Sequence, residues 1–102
     1  MYLTHHSNRF AGQMTRTDQL YQGGSLGVSL NGGSDTLSGW LGIWDGGTPL
    51  LTHQEFTGRI SSQETSLSSD LHSTHVAGTL ISSGINNTAR GMAFGANLKA
   101  WD

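Results

Sequence analysis

The strongest structural signal lies in residues 70–84, which read DLHSTHVAGTLISSG. Four apolar side chains in this stretch recur at i, i+1, i+4 and i+5, namely Val76, Ala77, Leu80 and Ile81. That spacing places them on one face of an α-helix. Gly84 is a residue type that commonly follows a helix C-terminus. The sequence therefore predicts a helix that starts near Asp70 and buries this face.

Short apolar segments flank the predicted helix on both sides. Residues 40–44, WLGIW, stop at an Asp-Gly-Gly sequence, as a buried strand of a parallel sheet does. A second extended piece is predicted at residues 58–60 and a final strand at residues 96–101, whereas residues 61–69 have the polar composition of a surface loop. The order strand, loop, strand, helix, strand predicts an α/β fold.

Composition separates a lead-in from the domain proper. Residues 1–38 are polar and rich in glycine, and we interpret them as an irregular lead-in without regular elements. Residues 39–102 carry the predicted strands and the helix. The hydrophobic share of 34% and the 15 glycines among 102 residues indicate a thin core and many tight turns.

Charge and hydropathy exclude several classes of function. Only 12% of the residues are charged and the net charge is −2, so no basic stripe favours nucleic acid. Cysteine is absent, which excludes a disulfide framework. No stretch reaches the roughly 18 apolar residues of a membrane-spanning helix. The first ten residues lack the apolar segment of a signal peptide, so an export signal would lie outside the chain.

Asp45 and His72 are the candidate catalytic residues. Asp45 follows an apolar strand, which would place its carboxylate at the carboxyl edge of the sheet, where α/β folds build their sites. His72 falls in the first turn of the predicted helix. Each residue has a simpler interpretation when taken alone, since Asp-Gly is common in turns and a histidine at a helix start is usually a surface residue. Together they have the residue types of a general base and its orienting carboxylate.

Four blocks of sequence around these two residues repeat the motifs of one enzyme family. HSTHVAGT (72–79) resembles an HGTHVAGT signature, and GIWDGG (42–47) resembles a strand that ends in D-S/T-G. HQEF followed by GRI (53–60) resembles H-P-E-L…G-R-I, and GMAFGANL (91–98) resembles G-V-A-P-x-A-x-L. The chain is therefore similar to the subtilisin-like serine proteases, or subtilases, whose order of Asp before His it shares.

The lead-in carries a narrower resemblance. TRTD (15–18) and GGSLG (23–27), followed by WDGG, resemble a branch found among secreted proteases of Bacteroidota. This resemblance implies a secreted or cell-surface protein.

The subtilase resemblance implies a serine endopeptidase built on a doubly wound parallel sheet. This chain would be the amino-terminal part of that domain, with about three strands and the active-site histidine helix. His72 would take the proton of the nucleophilic serine, and Asp45 would hold the imidazole tautomer. The family's Gly-Thr-Ser-Met-Ala block and oxyanion asparagine do not occur by Asp102, so the chain alone is predicted to be inactive. The implied partners are a peptide or protein substrate and the remainder of the domain, and the chemistry requires no cofactor.

Three positions bear on how closely the family pattern is followed. Ser73 stands where most subtilases have glycine, so its side chain would have to fit beside the substrate cleft. Gly46 stands where a serine or threonine usually donates a hydrogen bond to the aspartate, so Asp45 would lose that support. The resemblance also makes His75 a packed second histidine rather than a metal ligand.

Other chemistries fit the sequence less well. Ser25 lies in a G-x-S-x-G pattern, but a nucleophile elbow needs a buried strand before it and a helix after it. A zinc site built from His5, His6, His72 and His75 would have no thiolate, and no H-E-x-x-H sequence is present. No metal ligand is therefore predicted. Calcium is common in the family that the chain resembles, but Gln54 and residues 82–90 show no clear set of acidic ligands, so a structural calcium stays open.

Three alternatives to a protease domain remain at this point. The chain could be a non-catalytic or degenerate protease-like module that binds peptides. It could be a metal-binding protein that uses its histidines. It could also be an incomplete gene product with no function of its own, whose exposed strand edge and thin core would favour aggregation.

Overall fold

The computed structural model describes residues 8–34, 39–65 and 68–102. Within these ranges the chain forms two α-helices, one short 3-10 helix and three β-strands. In chain order the elements are α1 (Asn8–Thr15), the 3-10 helix (Thr17–Leu20), β1 (Gly42–Trp44), β2 (Ile60–Ser62), α2 (Leu71–Ile81) and β3 (Leu98–Trp101).

The three strands form one parallel sheet in the order β1-β3-β2. Gly42 pairs with Lys99 across β1 and β3, and Ile60 pairs with Leu98 across β2 and β3. Parallel neighbours require a crossover connection, and α2 provides the one between β2 and β3. The coarse prediction, an α/β fold with about three strands and the histidine helix, is confirmed, but β2 spans Ile60–Ser62 and not residues 58–60, so the predicted loop begins two residues too early.

The core lies between α2 and one face of the sheet. Ala77 and Ile81 are fully buried, and Val76 and Leu80 are partly buried against the same cluster. The sheet contributes Ile43, Ile60, Leu98 and Ala100, and the segments outside the elements add Phe56 and Ala96. The helix face predicted from the apolar spacing is therefore the face that packs in the structure.

The opposite face of the sheet carries large aromatic side chains. Trp44 of β1 and Trp101 of β3 are paired in register and stack with ring centroids 4.6 Å apart and an interplanar angle of 7°. Trp44 is 69% exposed, so the residues that the structure describes leave this face largely open. Parallel sheets are normally covered on both faces.

The lead-in differs from the sequence prediction. Residues 1–38 were expected to hold no regular element, whereas α1 and the 3-10 helix lie within them. Neither large apolar side chain of α1 is buried, because Phe10 and Met14 are both exposed. The helix is instead held by contacts to the segment after α2, such as the hydrogen bond from Arg9 N to Thr88 O at 3.2 Å. Phe10 and Met14 have the four-residue spacing of a helix face, but this face is exposed and does not pack against the core.

We expect Ile81→Ala to destabilise the fold strongly and Ile85→Ala to have little effect. Ile81 is fully buried at the end of α2, whereas Ile85, four residues later, is 64% exposed. Truncating a buried isoleucine costs about 2–5 kcal/mol, and surface substitutions usually cost less than about 0.5 kcal/mol. Urea unfolding followed by circular dichroism measures both variants. Equal losses in the two variants would contradict the packing described for α2.

Candidate catalytic pair

Asp45 is the first residue after β1, at the carboxyl end of the sheet. Its N–H donates to Trp101 O at 3.2 Å, which continues the pairing of β1 with β3 by one residue. Its Oδ1 accepts the N–H of Gly46 at 2.8 Å. Gly46 has no hydroxyl to donate to Asp45, but its backbone N–H supports the carboxylate. The Asp45 side chain is only 20% exposed.

His72 is the second residue of α2, and the cap of this helix fixes its backbone. Asp70 is the N-cap residue, and its Oδ1 accepts the N–H groups of His72 at 2.8 Å and Ser73 at 3.3 Å. An aspartate in this position satisfies helix N–H groups that have no partner within the helix. The His72 ring itself is 74% exposed.

The structure brings the two predicted catalytic residues into direct contact. His72 Nδ1 lies 2.7 Å from Asp45 Oδ2, although the residues are 27 positions apart. An ionised carboxylate only accepts hydrogen bonds, so Nδ1 carries the proton in this pair. In the neutral imidazole Nε2 is then the atom with the free lone pair. The arrangement can therefore accept a proton at Nε2 while a carboxylate stabilises the ring from the other side.

The backbone between the two residues is also tied together. Thr48 and Ser69 form an isolated parallel bridge, in which Asp70 N donates to Thr48 O at 2.8 Å. Gly47 has a φ of 86°, and a Cβ on it would lie 2.6 Å from Cβ of Asp70. A residue with a side chain would be both strained and obstructed at this position. The turn after Asp45 therefore packs directly on the N-terminus of α2.

Two expectations about the helix sequence need correction. Ser73 was expected beside the cleft, but its side chain is fully buried and Oγ donates to Asp70 O at 3.2 Å. The Ser73 side chain, which a glycine would lack, therefore fits within the first turn of α2. His75 was expected to be packed, yet it is exposed. Its position on α2, three residues after His72, turns it away from the core face.

Glu55 and Arg59 have no role that the sequence predicts, and they form a polar network at the C-terminal end of α2, the end away from His72. The Arg59 guanidinium donates to the carbonyl oxygens of Ile81 at 2.6 Å, Ala96 at 2.7 Å and Glu55 at 3.0 Å. The Glu55 carboxylate accepts two backbone N–H groups in residues 84–86, at 2.7 and 2.9 Å. Burial lowers the pKa of Arg59, and the charge of Glu55 offsets part of this effect. The HQEF…GRI block was the available signal.

The remaining candidates do not form a site in the part of the chain that the structure describes. No group of three or more His, Cys, Asp or Glu side chains there could hold a metal ion. His5 and His6 lie outside the described residues. Ser25 is exposed in a turn, and within residues 8–34 no strand precedes it.

A pocket of about 220 Å³ lies beside α1 and includes neither Asp45 nor His72. In the described ranges, no helix is long and apolar enough to cross a membrane.

Comparisons with known proteins identify no relative of this chain. No protein-family model matches the chain, and neither the curated proteins nor the solved structures contain a match to it. The function is therefore inferred from the geometry of the Asp45–His72 pair and from the motifs around it.

Proposed function

We propose that this chain carries the general base and the orienting carboxylate of a secreted subtilisin-like serine endopeptidase. The nucleophilic serine and the oxyanion asparagine would belong to a part of the same doubly wound domain outside these 102 residues. The observation that supports the proposal most is the 2.7 Å contact between His72 Nδ1 and Asp45 Oδ2 at the carboxyl end of β1.

Each residue has a defined task in the proposed reaction. As the serine oxygen attacks the carbonyl carbon of the scissile peptide bond, its proton passes to Nε2 of His72. Asp45 stabilises the resulting imidazolium through the Nδ1–H hydrogen bond. The same proton is then given to the leaving amine, and the acyl-enzyme is hydrolysed by water with His72 again acting as the base. No step in this sequence requires a cofactor.

The exposure of the site and of the sheet supports a place in a larger domain. The His72 ring is 74% exposed, which leaves space on its Nε2 side for a serine and a substrate. Trp44 and Trp101 occupy the sheet face opposite the core. A doubly wound domain would cover that face with further helices, as parallel sheets require.

The test is to read the coding DNA beyond codon 102 and to express the whole reading frame. We expect it to encode a Gly-Thr-Ser-x-Ala block preceded by an oxyanion asparagine. We also expect that serine to react with a fluorophosphonate probe, because the probe requires a serine activated by a base.

A serine-to-alanine variant of that block is the control for the labelling. A stop codon directly after Asp102, with no second chain that supplies a serine, would refute the endopeptidase proposal. A full-length protein that contains the block but is not labelled would favour the non-catalytic peptide-binding alternative.

A further inference from the structure

We propose that Thr74 is a positioning residue, whose hydroxyl sets the distance between Asp45 and His72. A role for Thr74 in catalysis rests on the proposed function. The contact that it controls is a property of this chain, however, and can be measured without the serine.

The Thr74 hydroxyl joins two segments that are far apart in the sequence. Oγ1 donates to the carbonyl oxygen of Asp70 at 2.6 Å, and it accepts the N–H of Leu50 at 2.9 Å. The first hydrogen bond stays within the first turn of α2. The second reaches the segment that follows β1, 24 residues earlier. A single hydroxyl thus connects the turn after Asp45 to the helix that carries His72.

This connection adds to the backbone contacts between the same two segments. The bridge between Thr48 and Ser69 holds the middle of the turn, and Gly47 packs against Asp70. Leu50 follows Gly47 and Thr48 in the chain, and Thr74 follows Ser69 and Asp70. The hydrogen bond between Leu50 and Thr74 therefore lies on the C-terminal side of the other two contacts in both segments. The Thr74–Leu50 hydrogen bond is therefore a further attachment between the two segments, and by the proposal it restrains rotation of α2 relative to the turn.

The His72 ring depends on this restraint because it has little packing of its own. With 74% of the side chain exposed, its placement follows the backbone of α2. A contact of 2.7 Å is lost if the helix moves by about 1 Å relative to β1, and misplacement of this size in a catalytic group can cost about 100-fold in rate.

Thr79 shows that the helix-internal hydrogen bond alone does not explain Thr74. Its Oγ1 also donates to a carbonyl four residues earlier, that of His75, at 3.2 Å. Both threonines thus make the local bond that is common for this residue type in helices. Only Thr74, of the two, also accepts an N–H from the turn after Asp45.

The experiment compares Thr74→Val and Thr74→Ser with the matched control Thr79→Val in the 102-residue chain. Valine keeps the shape of threonine without the hydroxyl, and serine keeps the hydroxyl. The readout is a ¹⁵N resonance of His72 at the shift of a protonated Nδ1, recorded by NMR through the carbon-bound ring protons, because the N–H proton of a ring that is 74% exposed exchanges with water. We expect Thr74→Val to lose this resonance, and Thr74→Ser and Thr79→Val to keep it. Far-UV circular dichroism reports whether each variant is folded.

The outcomes separate this proposal from the proposed function. If the unaltered chain is folded by circular dichroism but lacks the resonance, or if Asp45→Asn keeps it, the Asp45–His72 pair is refuted and the proposed function fails. If the unaltered chain has the resonance and folded Thr74→Val keeps it, only the positioning role fails. A Thr74→Val chain that unfolds would overturn the positioning role in favour of a purely structural one.

Discussion

Under the proposed function, replacing His72 with alanine is expected to lower kcat by roughly 10⁶-fold in a protein that also carries the serine. The variant removes the imidazole whose Nδ1 lies 2.7 Å from Asp45 Oδ2 and whose Nε2 would receive the serine proton. Without that base the serine stays a neutral alcohol, which is a weak nucleophile at neutral pH. Peptide hydrolysis and fluorophosphonate labelling both measure the loss.

His75→Ala is the matched control for His72→Ala. Both histidines are exposed residues of α2, three positions apart, so the two variants remove the same side chain from the same helix. We expect His75→Ala to keep the activity. Equal losses in the two variants would indicate a general effect on the helix, and full activity in His72→Ala would rule out the assigned base.

The parts of the fold that the sequence predicts well are those that depend on local spacing. The apolar residues of α2 recur with the helical period, and the packing of Ala77 and Ile81 follows from that period. The WLGIW run identifies β1 because it is apolar and ends at Asp-Gly-Gly. Asp45 and His72 were found in the same way, through short motifs at the ends of these two elements.

The parts that the sequence does not predict depend on contacts between distant segments. Phe10 and Met14 of α1 have helical spacing but stay exposed, and what holds the helix is hydrogen bonding to residues near position 88, which the sequence does not show. Arg59 donates to carbonyl groups of Ile81 and Ala96, two residues that only the folded chain brings near it. The burial of Ser73 likewise depends on how the first turn of α2 packs.

The candidate site illustrates both cases. Motifs identify Asp45 and His72 as residue types, but their separation is set by the turn after β1 and by the first turn of α2. Gly47 and Thr74 contribute to that separation through a close approach to Asp70 and a hydrogen bond to Leu50. Neither role is visible in a motif, because each involves a partner more than 20 positions away.

Under the proposed function, replacing Asp45 with asparagine is expected to lower kcat by about 10⁴-fold in a protein that also carries the serine, with much less change in KM. Asparagine has nearly the same shape, so the turn and the Gly46 N–H hydrogen bond to Oδ1 can persist. Its amide, however, can donate to His72 Nδ1, which favours the tautomer with the proton on Nε2. That tautomer cannot accept the serine proton, and the imidazolium also loses its counter-charge.

Asp70→Asn is the charge-matched control for Asp45→Asn. Like Asp45→Asn, it removes a carboxylate near the start of α2. Asparagine is also a good N-cap residue, so the N–H groups of His72 and Ser73 keep their acceptor. We expect only a small change in kcat from this variant. If the two aspartate variants lost the same activity, the effect would come from the overall negative charge around His72. If only Asp45→Asn lost it, the 2.7 Å hydrogen bond to Nδ1 would be the cause, because it is the contact that the two variants do not share.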